Sequence, residues 1–294
     1  MKIIPLAAES MGTRSMATFL ETEDCRALID PGAIVGPLRF GLKPHPMENW
    51  CLKKHCDRIS LFAQSSNIVI VTQYHPAHFI PDVLDLYQNK ILLLKNPNQH
   101  ISVNQRNRAF EFLKRVQGLA REVNYVDDRA VSYGNTQINF SPPIPQDALD
   151  RKGFVIQVAF NEKGKTFLFS SDIQGVNLEE SVDFFLSQNP EIIYLDGPVT
   201  YPLGDSKSKK RLEKALDRIN RIIEKTKVVK VIIDHHLLRD LQWREKIESV
   251  FNCARRRGVM IQTAAEFRGE ENNLLEARRK QLYENDPPGL RISS

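Results

Sequence analysis

Three groups of histidine and carboxylate side chains stand just past stretches that read as strands. They are His75 and His78 after Ile68-Val69-Ile70-Val71, Asp172 after Lys165 to Ser170, and Asp234-His235-His236 closing Val228 to Asp234. Imidazole and carboxylate together are the ligand set of zinc and iron. Loops at strand ends are held by a rigid scaffold, so they can bring groups from distant parts of a chain to one point. Scattered surface histidines would give the same residue types. Three clusters at equivalent places point instead to converging ligands.

Other chemistries find less support. Gly197-Pro198 and Gly204-Asp205 lack the glycine spacing of a nucleotide loop, so no nucleotide cofactor is expected. No serine sits in a nucleophile elbow, and Cys25 has no sequence-visible base. Cys25, Cys51, Cys56 and Cys253 show no paired Cys-x-x-Cys spacing, which argues against a zinc knuckle or a disulfide framework and for a reducing, cytoplasmic setting.

The elements that must position these groups alternate between strand and helix, with hairpin-like pairs in the first half. That mixture favours a mixed α/β sandwich over a simple doubly wound sheet. Strands are expected over Ile3 to Leu6, Ala17 to Thr22, Arg26 to Asp30 (running into the turn Asp30-Pro31-Gly32), Asn67 to Thr72, Glu191 to Asp196, Val228 to Asp234 and Val259 to Thr263. A hairpin is expected from Gly153 to Phe160 and Lys165 to Ser170, around a turn at Asn161-Glu162-Lys163-Gly164. Helices are expected over Met47 to Ala63, Asn104 to Ala120, Leu178 to Ser187, Ser206 to Lys225 and Asp240 to Arg257.

With 294 residues, 41% hydrophobic and 26% charged, the chain has ordinary globular composition, read as a single domain over 1–294 with a charged tail from about Phe267 and a frayed end at Asp286-Pro287-Pro288-Gly289. The apolar runs are strand-sized, so no membrane role is expected. The net charge of +5 permits nucleic-acid contact without demanding it. Lys209, Lys210, Arg211 and Lys214 on the helix from Ser206 are the candidate contacts, although a charged helix face is more often simply solvated.

In order along the chain, Lys2-Ile3-Ile4-Pro5-Leu6-Ala7-Ala8-Glu9-Ser10, Leu28-Ile29-Asp30-Pro31-Gly32, Ser171-Asp172-Ile173-Gln174, Gly197-Pro198-Val199-Thr200-Tyr201 and Asp234-His235-His236 resemble the metallo-β-lactamase fold superfamily, and within it an uncharacterised archaeal branch. The resemblance implies a four-layered αβ/βα sandwich in which strand-end loops hold one or two metal ions that activate a water. It implies ligands at His75, His78, Asp172 and one of His235 and His236.

The departures from that family are as informative as the match. Where the family has His-x-His-x-Asp-His, this chain has Gln73-Tyr74-His75-Pro76-Ala77-His78, and a later family histidine falls on Gln146. An amide oxygen is a poor zinc ligand beside imidazole, so the first metal position is left with His75 and Asp172. The second retains His78, Asp172 and His235 or His236. Ala77 removes a carboxylate that would bind metal and orient water. The expectation is therefore a degenerate metal site, catalytically weak or inactive and reused to bind RNA or protein, with one zinc, iron or manganese ion or none. The alternative is an active hydrolase of a phosphoester, ester or thioester with a single-metal or rearranged site. An unrelated α/β protein is the third reading.

Overall fold

The computed structural model describes residues 1–146, 153–201 and 206–287. The first half forms a six-stranded sheet of β1 (Lys2–Pro5), β2 (Thr18–Glu21), β3 (Arg26–Ile29), β4 (Ile68–Val71), β5 (Ile91–Leu94) and β6 (Glu122–Tyr125), in that order. The pairs β1·β2 and β2·β3 are antiparallel, and β3 through β6 run parallel. Helices α1 (Pro46–Ser65) and α2 (Val103–Val116) make crossovers between those parallel strands.

The second half contributes β7 (Ala130–Tyr133), β8 (Thr136–Phe140), a short pair β9 (Ile144–Pro145) and β10 (Phe154–Val155), then β11 (Val158–Glu162), β12 (Lys165–Phe169), β13 (Ile192–Asp196), β14 (Lys230–Asp234) and β15 (Met260–Gln262). Seven of these form a second sheet in the order β15-β14-β13-β12-β11-β8-β7, parallel from β12 to β15. Its helices are α3 (Glu179–Gln188), α4 (Ser206–Lys225), α5 (Trp243–Lys246), α6 (Glu248–Arg257), α7 (Ala264–Phe267) and α8 (Arg279–Asn285).

Strand periodicity separates the layers, because alternate side chains leave a strand on opposite faces. Ile29, Ile68, Ile70 and Leu93 of the first sheet pack against Phe160, Phe167, Phe169, Tyr194 and Ile232 of the second. Their neighbours Leu28, Val69, Val71 and Leu92 face the other way, onto Ile59 of α1 and Phe112 of α2. On the far side Leu168, Ile193 and Ile233 cover Phe185, Ile219 and Val250. The result is the expected four-layered αβ/βα sandwich. No helix among the described residues is long and apolar enough to cross a membrane.

Three local expectations are corrected. The hairpin turn is tighter than four residues: Lys163 and Gly164 both have positive φ, 51° and 81°, so a two-residue turn lets Glu162 pair with Lys165. Gly153 to Phe160 is not one strand, because Phe154 and Val155 pair with Pro145 and Ile144 before β11 begins. The single helix expected over Asp240 to Arg257 breaks at Ile247, whose φ of −113° and ψ of 24° separate α5 from α6.

The charged segment after Phe267 also folds back onto the chain. Arg279 is fully buried, its Nη2 2.9 Å from Glu48 Oε2, and it donates to the carbonyls of Gly36 and Leu42. Glu276 grips Arg14 through Nε and Nη2 at 2.6 Å each. These charges dock the segment. The expected frayed end at Pro288 and Gly289 lies outside the described residues.

Removing one partner of a buried ion pair strands the other in a dry site. Arg279→Ala should therefore lower the unfolding free energy by about 3–5 kcal/mol in urea titrations. Pairing Arg279→Met with Glu48→Leu should lose much less, and equal losses would place the cost in packing instead.

Candidate metal centre

The parallel strands of both sheets end at one edge, and five strand ends supply the site. Asp30 follows β3, the loop carrying His75 and His78 follows β4, Asp172 follows β12, Asp196 closes β13, and His235 and His236 follow β14. Each of these strands is buried in the sandwich, so its end is a fixed point from which a loop can aim a side chain. Non-glycine residues with positive φ gather here: Asp30 (47°), Ser171 (58°), Gln174 (52°), Val176 (59°) and His235 (61°). Backbone in this region costs energy and persists where surrounding contacts enforce it.

His78 is fully buried, and its Nδ1 donates to Asp30 Oδ2 at 2.7 Å. Asp30 is fixed in turn, accepting from Thr72 N at 2.8 Å and Thr72 Oγ1 at 2.6 Å. Thr72 Oγ1 also lies 2.6 Å from Ser171 Oγ, which ties the end of β4 to the loop that carries Asp172. Gly32 allows the chain to pass this close, since a Cβ there would sit 2.2 Å from Phe79 N and 2.5 Å from His78 N. The outcome is that His78 Nε2 is 3.9 Å from Asp172 Oδ2.

Among the described residues two groups of three candidate ligand atoms lie within 4.8 Å of one another: His78, Asp172 and His235, and then Asp172, Asp196 and His236. Asp172 belongs to both. His236 Nδ1 is 3.0 Å from Asp196 Oδ1 and 3.5 Å from Asp172 Oδ1. His235 is clasped on two sides, with Nδ1 3.4 Å from Glu9 Oε2 and Nε2 3.4 Å from Arg239 Nη2. Arg239 donates through Nε to Glu9 Oε1 at 2.8 Å.

Thus His78, Asp172, His235 and His236 are brought together as ligand groups. His75 shares the cleft but belongs to neither group; its Nδ1 accepts from Ala77 N at 3.3 Å. Ala77 and Gln146 line the same cleft, and Gln73 is linked to it through Gln105. Gln105, which nothing in the sequence singles out, donates through Nε2 to Gln73 Oε1 at 3.4 Å and Gln146 Oε1 at 3.5 Å, while Gln146 Nε2 donates to the carbonyl of Asp172 at 3.2 Å. Three neutral carboxamides are thus linked beside the Asp172 backbone. Lys209, Lys210, Arg211 and Lys214 are on exposed turns of α4, apart from the cleft.

Sequence reasoning alone also misses Asp30, Asp196, Glu9 and Arg239. In the sequence Asp30 reads as a turn and Asp196 as a strand end, yet each is an acid at the close of a buried strand, which is the signal that could mark them. Asp234 plays a different part, since its carboxylate accepts from Ser10 N, His235 N and Ala264 N and so builds the loop.

The charges suit cation binding. Burial would push Asp172 up, but His236, His235, His78 and Arg239 hold its carboxyl well below the ordinary range. Burial pushes His75 down to about 4 and His235 well below its usual value, keeping both imidazoles neutral. For His78 burial is outweighed by Asp30, and its pKa is raised. Asp196 is raised by burial despite His236.

No family model matches the chain. It is 41% identical over 288 residues to a UPF0282 protein of Korarchaeum cryptofilum, covering 98% of this chain and 96% of that one. It is 39% identical over 296 residues to a UPF0282 protein of Metallosphaera sedula, covering 99% and 96%. Among solved structures it is similar to yeast PDE1 (TM-score 0.54, 12% identity, 89% and 96% covered) and to the metallo-β-lactamase fold protein YhfI of Bacillus subtilis (0.53, 12%, 89% and 95%). It is also similar to an isothiocyanate hydrolase from Delia radicum gut bacteria (0.53, 15%, 90% and 96%). At such identities these structures establish the fold alone.

A histidine held neutral at about 4 when folded takes up its proton near 6.5 when unfolded. Its contribution is therefore full above about pH 6.5 and is lost as pH falls toward 4, whereas the raised His78 acts in the opposite sense. Between pH 7 and 5, His75→Gln should remove about 2 kcal/mol of the pH-dependent loss of stability. Urea midpoints that fall equally in both proteins would show that His75 is not held neutral.

Proposed function

Because the chain belongs to the archaeal UPF0282 family and has the metallo-β-lactamase fold, we propose that it is a metal-dependent hydrolase of a phosphoester, ester or thioester, with its centre rebuilt around Asp172. One observation carries this reading. His78 Nε2 and Asp172 Oδ1 are buried with no hydrogen-bond partner among the described residues, and the two side chains approach to 3.9 Å, Nε2 to Oδ2, where Asp172 lines the cleft. Each such atom costs about 1–3 kcal/mol unless something satisfies it. A cation held by His78, Asp172 and His235 satisfies both, and two imidazoles with one carboxylate are a donor set fit for zinc, iron or manganese.

A bound divalent ion supplies Lewis acidity toward the scissile group and lowers the pKa of water. The chain's own residues do the rest. Asp30 fixes the His78 ring through Nδ1, so that Nε2 is the atom presented to Asp172. His236 Nδ1, between Asp196 and Asp172, holds a proton next to the reacting centre and is the group placed to move one, which Ala77 cannot do. The linked amides of Gln73, Gln105 and Gln146 stand beside the Asp172 backbone. We place the protein in the cytoplasm, in keeping with its four free cysteines.

A second reading, the degenerate site reused for binding, is favoured by one contact. Arg239, paired with Glu9, sets a fixed guanidinium against His235 Nε2 and beside Asp172, so a cationic group already faces that carboxylate without metal. Under it the partner is RNA, bound by α4: Lys207, Lys210, Arg211, Lys214 and Arg218 line a groove of about 360 Å³ with Asn177 and Leu178.

Metal analysis of tag-free protein separates the readings. The hydrolase reading expects about one equivalent of zinc, iron or manganese, abolished by Asp172→Asn, reduced by Asp30→Asn and kept by His75→Gln; well-folded protein without metal would refute it. RNA binding on α4 should weaken steeply with salt, and the slope should fall when Lys209, Lys210, Arg211 and Lys214 become glutamine. Salt-insensitive binding would exclude that helix.

A further inference from the structure

We infer that the cleft takes a substrate bearing a phosphoryl group, seated between Arg108 with the N-terminus of α2 on one side and Arg14 with Arg239 on the other. This rests on the reading of the cleft as the reaction site.

The cleft encloses about 320 Å³, more than a phosphoryl group fills, so part of the esterified alcohol fits as well. Among the described residues lining it, Asp172 is the one carboxylate, against the three guanidiniums of Arg14, Arg108 and Arg239. The arginines are not equivalent. Arg14 is clamped by Glu276 and Arg239 by Glu9, and neither glutamate lines the cleft. Those pairs fix the two forks at the wall and leave Nη1 of each outside the clamp. Arg108 forms no ion pair among the described residues; its Nη1 donates to the carbonyl of Tyr74 at 3.3 Å, which holds it at the rim. With Glu9 and Glu276 balancing their arginines, Arg108 balances Asp172, and any bound cation makes the cleft positive.

Helix α2 adds to this field. Ser102, Asn104 and Gln105 at its start line the same cleft, where the positive end of the helix dipole lies and Ser102 Oγ caps the Gln105 N–H at 3.4 Å. Beside it, Gln105 Oε1 is buried and unpartnered. The Arg108 guanidinium with the positive helix end on one wall, and the remaining Nη1 donors of Arg14 and Arg239 on the other, match a tetrahedral dianion. A planar carboxylate would engage one fork and leave the opposite wall unmet.

The test is calorimetric titration of the full-length protein with inorganic phosphate at low salt, run with and without one equivalent of manganese, and with acetate as the planar comparison. Phosphate should bind one to one, acetate at least tenfold more weakly. Arg108→Gln should weaken phosphate about tenfold, Arg108→Lys less, and Arg255→Gln, on the outer face of α6, not at all. Arg108 is exposed, so its variants should keep the melting temperature of the native protein. Absent phosphate binding, binding indifferent to Arg108, or acetate binding as well as phosphate would overturn the inference. Manganese uptake without phosphate binding would sink it and leave the hydrolase reading standing. Phosphate binding that depends on Arg108 in protein that takes up no metal would support the anion seat and refute the hydrolase reading.

Discussion

A carboxylate buried between two sheets must have every lone pair answered, and the geometry of this protein's cleft depends on how Asp30 meets that demand. Thr72 N, Thr72 Oγ1 and His78 Nδ1 all point at it. Each donor comes from the loop that leaves β4, so the folded path of that loop is the one that satisfies Asp30. The Thr72 hydroxyl meets Ser171, carrying the constraint across to the second sheet and Asp172. A loop that wandered would leave a charge unpaired in a dry interior, which costs far more than the left-handed backbone found at Asp30 and Ser171.

The same logic explains how the cleft differs from what its fold suggests. Gln73 and Gln146 cannot take the place of imidazoles toward a soft cation, but they can bond to another amide. Gln105 from α2 joins them into a neutral cluster on one side of Asp172. On the other side a guanidinium is fixed in place, Arg239 held by Glu9. The pair is buried, so the glutamate keeps the guanidinium charged and in place, while burial, reinforced by the guanidinium, keeps His235 neutral.

Much of the fold was legible because its signals are local. Ile68-Val69-Ile70-Val71 reads as a strand buried on both faces, the stripe of α4 reads as a helix from Ser206 to Lys225, and the order of short motifs from Ser10 to His236 identifies the sandwich. What the sequence hid was relational. Nothing local tells that Asp30 orients a histidine 48 residues away, that Asp196 faces His236, or that Gln105 bridges two other amides. Charge density likewise misled at the C-terminus, where Glu276 and Arg279 are hydrophilic by type and buried by pairing. Residue type gives the cost of burial; only the partner decides whether it is met.

The central claim is that His78, Asp172 and His235 form one cation seat set by Asp30. The most direct measurement is the anomalous difference density of a crystal of the native protein soaked in zinc. The account predicts one peak at about 2.0–2.2 Å from a His78 nitrogen and an Asp172 oxygen, with His235 turned from Arg239 to complete the set and His75 unbound. A peak lodged on surface residues alone, with the contact between His235 and Arg239 unbroken, would contradict it.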